Sequence, residues 1–296
     1  MKKNILVTGG TGFLGYNLIK ELINKGYKVT SLSSKKKNNK NYFRKVKYIF
    51  CDITNFHKLK KKIENDYDYI INFCGNINHK NKSETFHAHF HGLKNLIGSV
   101  NKDNLKLFIQ IGSSLEYGRS KSPQKENTKC KPISHYGKAK YLASKYIIQN
   151  NIKNFLILRL YQVYGPHQKT DRLIPYIITS CLRNKQFDCS EGLQIRDFIY
   201  VSDFVDLILK ILNKKKIHSG IYNVGSGNPI CVKKVINLIV KKIKKGQANF
   251  AKIKMRNDEI MDLYPNLEKT KKIFNWKSRV NIQRGLIKTI NHYAKK

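Results

Sequence analysis

The chain has 296 residues, long enough for a large core in one domain or two, and its 41% hydrophobic content is ordinary for a globular protein. Lys and Arg number 58 against 19 Asp and Glu, a formal net charge of +39. The lysines are spread along the whole chain without interleaved aromatics, so a solvated basic surface is expected rather than a specific nucleic-acid partner. No apolar run approaches ~18 residues, so no membrane span is expected, and the six cysteines form no C-x-x-C pair, which suits free thiols in a reducing cytoplasm.

Met1-Lys2-Lys3 could mimic the start of a targeting segment, but the apolar stretch behind it is too short and runs directly into glycines. That stretch predicts a strand over 5–8, followed by Gly9, Gly12 and Gly15 and an amphipathic helix over 12–24. Glycine lets a backbone turn tightly and approach a ligand without a Cβ in the way. The helix start then aims its N–H groups and positive dipole end at an anion. A strand, G-x-x-G-x-x-G and a helix in this order imply a dinucleotide whose pyrophosphate meets Gly9, Gly12, Phe13, Leu14 and Gly15.

Further strands are predicted over 28–32, 48–50, 69–73, 107–111 and 155–160, with helical stretches between them such as 83–101. This alternation predicts an α/β fold, a doubly wound parallel (Rossmann) sheet. Beyond Gly165 the regularity weakens. Residues 166–192 read as a helix with flanking loops, 198–201 and 221–224 as short strands, and 232–245 as a helix. The expected division is a dinucleotide-binding domain over 1–165, with 198–224 crossing back into it. A smaller substrate-binding region over 166–197 and 225–296 would close over the ligand.

Y-x-x-x-K places a tyrosine and an ammonium on one helix face, where the cation favours the phenolate. The pattern occurs four times, at Tyr16/Lys20, Tyr117/Lys121, Tyr136/Lys140 and Tyr141/Lys145. Tyr136 is best placed, because it opens a helix and follows the strand over 107–111, which runs into Gly112-Ser113-Ser114. Ligands of doubly wound sheets lie beyond the carboxyl ends of the strands. Ser113 is therefore the natural hydroxyl to orient a substrate carbonyl. His79, His87, His89 and His91 invite a metal reading, but His89 would leave the face shared by His87 and His91, and no metal is expected.

T-G-G-T-G-F-L-G, G-S-S-L-E-Y-G, Y-G-K-A-K, R-L-Y-Q-V-Y-G-P and G-L-Q-I-R-D-F-I-Y-V-S-D follow one another in this chain. Together they resemble the extended short-chain dehydrogenase/reductases, and more narrowly the NAD(P)-dependent nucleotide-sugar epimerases, dehydratases and reductases, from Asn4 to about Val280. The resemblance implies that Ser113, Tyr136 and Lys140 act together on a sugar oxygen, with Tyr136 passing the proton and Lys140 also holding the nicotinamide ribose. It implies adenine contacts at Asp52 and Ile53, and substrate contacts at Ser114, Arg196 and Arg256, the arginines holding nucleotide and diphosphate. It places His89 where the family often has Asn, near the active site. It also implies a homodimer packed through the helices over 83–101 and 136–150.

Two departures narrow the activity. The family's dehydratases carry Asp-Glu directly after the catalytic Ser/Thr, whereas this chain has Ser114-Leu115, leaving Glu116 as the one carboxylate that a strand-end shift could present. The second strand usually ends in Asp to bind the ribose 2′-hydroxyl of NAD, whereas here Ser33 and Ser34 precede Lys35-Lys36-Lys37, a setting for a 2′-phosphate. NADP(H) is thus favoured, with NAD(H) the alternative. The expected activity is NADPH-dependent reduction of a 4-keto-6-deoxy nucleotide sugar for surface polysaccharide synthesis. The alternatives are an NAD-dependent nucleotide-sugar 4-epimerase and, more remotely, a non-catalytic family member that binds RNA or a partner.

Overall fold

The computed structural model describes residues 3–34, 42–64, 66–75, 82–150, 152–256 and 258–295. The strands are β1 (Asn4–Thr8), β2 (Lys28–Ser33), β3 (Val46–Phe50), β4 (Tyr69–Asn72), β5 (Leu107–Ser113), β6 (Phe155–Leu160), β7 (Gln162–Tyr164), β8 (Gln186–Asp188), β9 (Ile195–Tyr200), β10 (Gly220–Val224), β11 (Pro229–Cys231), β12 (Gln247–Asn249) and β13 (Asp262–Leu263). The α-helices are α1 (Phe13–Asn24), α2 (Phe56–Lys62), α3 (Lys82–Phe86), α4 (Gly92–Ser99), α5 (His135–Gln149), α6 (Leu173–Leu182), α7 (Val201–Leu212), α8 (Val232–Ile243), α9 (Glu268–Phe274) and α10 (Ile282–Ala294).

The chain divides into two compact units. The first comprises residues 1–118, 129–159 and 208–222, and holds a seven-stranded sheet in the order β10-β6-β5-β4-β1-β2-β3. The pairs β2–β3, β1–β2, β1–β4 and β4–β5 are all parallel. This is the doubly wound order expected from the sequence, extended by β10 beside β6. The strands read as near-continuous apolar runs because both faces are covered. On one face Leu6, Ile70, Phe108 and Ile157 of the sheet pack with Leu59, Leu93, Leu96, Ile97 and Ile147 of the helices. Helix α1 buries Gly15, Leu18, Ile19 and Leu22, and the Asn55 and Ser134 side chains cap α2 and α5 by accepting from the Lys58 and Gly137 N–H groups.

The second unit comprises residues 119–128, 160–207 and 223–296. Here β9 pairs with β11, β13 and β7, and β8 pairs with β12. Of the 198–224 segment, only β10 enters the seven-stranded sheet, while β9 is the centre of this second sheet. Residues 166–192, read as one helix with loops, contain α6 and also strand β8. Asp203 clasps the chain before α10 by accepting from the Ser278 hydroxyl (2.6 Å) and the Arg279 and Val280 N–H groups (3.0 and 2.9 Å). The six cysteines are free thiols, and among the described residues no helix is long and apolar enough to cross a membrane.

The expected single helix over 83–101 is α3, a π-helical turn over His87–His91 and α4 in succession. The wider turn inserts residues without ending the helical run.

The glycine turn is tightly built. Gly9 takes φ +67°, and a Cβ on Gly15 would lie 2.5 Å from the Gly9 carbonyl oxygen and 2.6 Å from the Gly10 Cα. Those neighbours are backbone and cannot swing away. Gly15→Ala is therefore expected to destabilise the protein by about 1–3 kcal/mol, read as a lower urea midpoint with an unchanged slope.

Candidate active site

Strand β1 delivers the turn at 9–12 into α1. Gly12 is the N-cap and offers no side chain to the helix start, and the first turn of α1 carries no acidic residue. A Cβ on Gly12 would meet only the Gly9 oxygen, at 3.1 Å. A helix N-terminus without a side-chain cap, where a Cβ would crowd the turn, fits a pyrophosphate. Gly10, which the glycine spacing did not single out, is also sterically constrained, because its Cβ would fall 2.2 Å from Ser31 Oγ.

At the neighbouring strand end Ser33 is buried, and its Oγ accepts from the Thr11 hydroxyl (3.1 Å) and N–H (3.4 Å), so its hydroxyl braces the glycine turn. Ser34 is exposed, and Lys35, Lys36 and Lys37 lie outside the described residues, as does His79. Asp52 is exposed and folds back on Thr54, whose N–H and hydroxyl both donate to its Oδ1 at 2.9 Å, while Ile53 is buried.

The most constrained part of the first unit is the end of β5. Lys140 is only 3% exposed, and its ammonium donates to the Ile111 carbonyl at 2.7 Å. Burial pushes its pKa down to about 8, against the partial opposition of Glu116 and Cys74. Its Nζ lies 5.8 Å from the centroid of the Tyr136 ring, one helical turn earlier on α5. Tyr136 is half-buried, and its ring meets that of His89 edge-on at 5.0 Å. His89 itself is buried and occupies the space left by Gly75, whose Cβ would fall 1.7 Å from the imidazole Cε1. Ser113 ends β5, and its Oγ accepts from the Leu115 N–H at 3.2 Å. Ser114 is buried and begins the 3₁₀ turn over Ser114–Glu116. Lys140 thus sits at the carboxyl end of β5, which Ser113 closes, with Tyr136 one helical turn before it on α5.

The other Y-x-x-x-K tyrosines are placed differently. Tyr16 stacks on Phe43, and Tyr117 is fully buried against the Arg159 guanidinium at 4.4 Å. The His87 and His91 rings meet at 5.0 Å, tilted by 33°, while His89 turns to Tyr136. Among the described residues no group of His, Cys, Asp and Glu is arranged to hold a metal.

A polar rung that sequence reading missed supports Lys140. Thr8, Asn72 and Gln110 are register partners on β1, β4 and β5. The Thr8 hydroxyl donates to Asn72 Oδ1 (2.5 Å), Asn72 Nδ2 to Gln110 Oε1 (2.8 Å), and Gln110 Nε2 to the same Ile111 carbonyl that Lys140 uses (3.1 Å). Glu116 was missed in its actual role as well. It is fully buried, so no strand-end shift presents it as an acid to a substrate.

In the second unit Arg196 and Arg256 converge on Glu259. Arg196 Nη2 donates to Glu259 Oε1, while Nη1 donates to the Ile195 and Met261 carbonyls (2.8 and 2.9 Å). Arg256 donates to Glu259 Oε2 through Nε and Nη2 (3.2 and 3.0 Å) and is otherwise exposed. A cleft beside them is lined by residues 119–122 and 259–262.

The sequence pattern of the NAD dependent epimerase/dehydratase family matches residues 5–225, and the chain belongs to that family. It is 30% identical to a Methanocaldococcus jannaschii protein provisionally named UDP-glucose 4-epimerase, over 97% of each chain. It is 28% identical to a CDP-abequose synthase of Salmonella muenchen, over 98% of each. Among solved structures, a UDP-glucuronic acid 4-epimerase from Bacillus cereus in complex with UDP-glucuronic acid and NAD superposes with a TM-score of 0.88 at 24% identity, over 99% of each chain. The fold, the glycine turn and the family together make this an NAD(P)-dependent enzyme.

The buried ammonium gives stability a pH dependence of known sign. In the native state Lys140 loses its proton near pH 8, whereas in the unfolded chain it keeps it up to the ordinary lysine value of 10.5. The unfolded state therefore binds more protons between those values, and this group's contribution to stability rises with pH across the window. Below about pH 8 both states are charged and the unfavourable burial is fully present. Urea unfolding between about pH 7 and pH 10 should show wild type gaining on Lys140→Met as pH rises.

Proposed function

We propose that this chain reduces a 4-keto-6-deoxy nucleotide sugar with NADPH, in the synthesis of a surface polysaccharide. The observation that carries the catalytic part is Lys140, held deep in the protein by the Ile111 carbonyl with its ammonium against the Tyr136 ring. The dinucleotide, when bound, supplies the hydride. Tyr136 donates its phenolic proton to the sugar oxygen that becomes a hydroxyl. Lys140 stabilises the tyrosinate left behind, and its ammonium is kept in place by its own hydrogen bond. Ser113 orients the carbonyl oxygen from the strand end. Gly9, Gly12, Phe13, Leu14 and Gly15 receive the pyrophosphate, and Asp52 and Ile53 flank the adenine. In sequence, Ser33, Ser34 and Lys35 offer a cation and no carboxylate after β2, which favours a 2′-phosphate over a free ribose hydroxyl, with the Ser33 hydroxyl itself engaged by Thr11. Arg256 offers its exposed edge, and Arg196 and Ser114 complete the substrate contacts.

Reduction is favoured over dehydration by the interior position of Glu116, and the CDP-abequose synthase relative supports a reductive reading. A 4-epimerase that retains NAD through its cycle is the second reading, favoured by the relative named for that activity. The homodimer reading is supported by α5, where Ile148 is half exposed.

Titration calorimetry should show NADPH binding at least about tenfold more tightly than NADH, a difference of about 1.4 kcal/mol. NAD carried through purification, with no advantage for the 2′-phosphate, would favour the epimerase. With CDP- and dTDP-linked 4-keto-6-deoxyhexoses as probes, Tyr136→Phe should lower kcat by about 10²–10⁴-fold while leaving the melting temperature near wild type.

A further inference from the structure

Glu116 is 0% exposed and lies immediately behind the catalytic strand end. Its Oε1 accepts from the Ser113 N–H at 2.8 Å, and its Oε2 accepts from the Ser144 hydroxyl at 2.9 Å and from Arg159 Nε at 3.0 Å. Gly112 makes room for it, since a Cβ there would stand 2.6 Å from Oε1. Three separate elements therefore meet on one carboxylate: the last residue of β5, the helix α5 and the strand β6.

Ser144 has a particular place on α5. Tyr136, Lys140 and Ser144 follow one another at intervals of four residues, so they lie along a single face. That face is fastened to β5 twice, by Lys140 on the Ile111 carbonyl and by Ser144 through Glu116 to the Ser113 N–H. The two fastenings bracket Gly112 and fix how the Ser113 hydroxyl stands relative to the tyrosine helix.

Charge points the same way. The groups whose charge acts on the Lys140 ammonium are Glu116 from the 3₁₀ turn and Cys74 just beyond β4, and the Tyr136 ring of its own helix lies beside it. Arg159 stands behind Glu116, with Tyr117 stacked on its guanidinium and Cys130 beside it. Glu116 is the one carboxylate among them, and its field opposes the desolvation that drives the lysine towards neutrality.

We propose that Glu116 is a positioning residue for the Tyr136–Lys140 pair, joining β5, α5 and β6 into one seat and placing a carboxylate's negative charge behind it. This inference rests on the reading of Tyr136 and Lys140 as the proton-transfer pair, but its test is independent of turnover. The Lys140 side chain is titrated in the cofactor-free protein by ¹³Cε NMR, with the resonance assigned by its disappearance in Lys140→Met. In Glu116→Gln the midpoint should fall by at least about half a pH unit. Because that variant leaves the buried Arg159 without its counter-charge and can fail to fold, Glu116→Gln/Arg159→Met is measured beside it. There a hydrocarbon replaces the guanidinium, and the Lys140 midpoint should again lie below wild type.

Midpoints within about 0.2 units of wild type in whichever of these variants fold would overturn the proposal, since a merely structural clasp would change melting temperature alone. Turnover of Tyr136→Phe separates the two claims. Full activity there would remove the catalytic reading and leave the titration result standing. An inactive Tyr136→Phe beside an unmoved Lys140 titration would keep the catalytic reading and discard the role of Glu116.

Discussion

An ammonium taken out of water is the constraint around which the first unit is built. Lys140 is almost wholly enclosed, and an enclosed charge persists only where fixed dipoles and a counter-charge replace its hydration. The end of β5 supplies those replacements within seven residues. Gln110 carries the polar rung, Ile111 presents the acceptor, Gly112 clears a space, Ser113 offers its N–H and hydroxyl, and Glu116 brings the charge. A strand buried along its whole length is ordinarily all hydrocarbon. This one departs from that rule at its carboxyl end, where a doubly wound sheet receives its ligands.

The rung through Thr8, Asn72 and Gln110 gives this arrangement reach. It begins on β1, directly before the glycine turn, and ends on the carbonyl that holds the lysine. The Cys74 N–H also donates into it, to Thr8 Oγ1 at 3.2 Å and Asn72 Oδ1 at 3.1 Å, so the chain leaving β4 is held by the same groups. The region proposed for the pyrophosphate and the region proposed for proton transfer are thus joined by fully buried hydrogen bonds, which are rigid because none of their members can turn to water instead.

What was legible in the sequence is what depends on neighbours in the chain. The apolar runs, the glycine spacing and the interval between Tyr136 and Lys140 are local patterns, and each occupies the element its periodicity predicts. The polar rung was not legible, because Thr8, Asn72 and Gln110 meet only through strand register across separations of 64 and 38 residues. Glu116 was visible, but its environment was not: Arg159 lies 43 residues away on β6, and only folding shows the carboxylate turned inward. Ser33 reads equally well as a ribose contact or as a brace for Thr11 until the turn is built. Glu259 carried no signal beyond its nearness to Arg256, since its link to Arg196 spans 63 residues. The short strands β7, β8 and β11–β13, of two or three residues each, are below the length at which alternation can be told from loop.

The π-helical turn at His87–His91 has a consequence for how this chain tolerates changes in length. A π turn holds more residues than an α turn, so α3 and α4 are joined by a segment that already contains a surplus. Removing one residue there would let the helix close into regular α geometry, with no broken strand and no lost core side chain. The helical runs on either side would keep their faces, but the side chains within the turn itself would be re-phased. His89 would then leave the Tyr136 ring, and the space above Gly75 would open beside the tyrosine. The fold can therefore absorb a single-residue deletion here while the surroundings of the proposed catalytic tyrosine cannot, so a change of chain length at this turn would be felt beside Tyr136 before it was felt in the architecture.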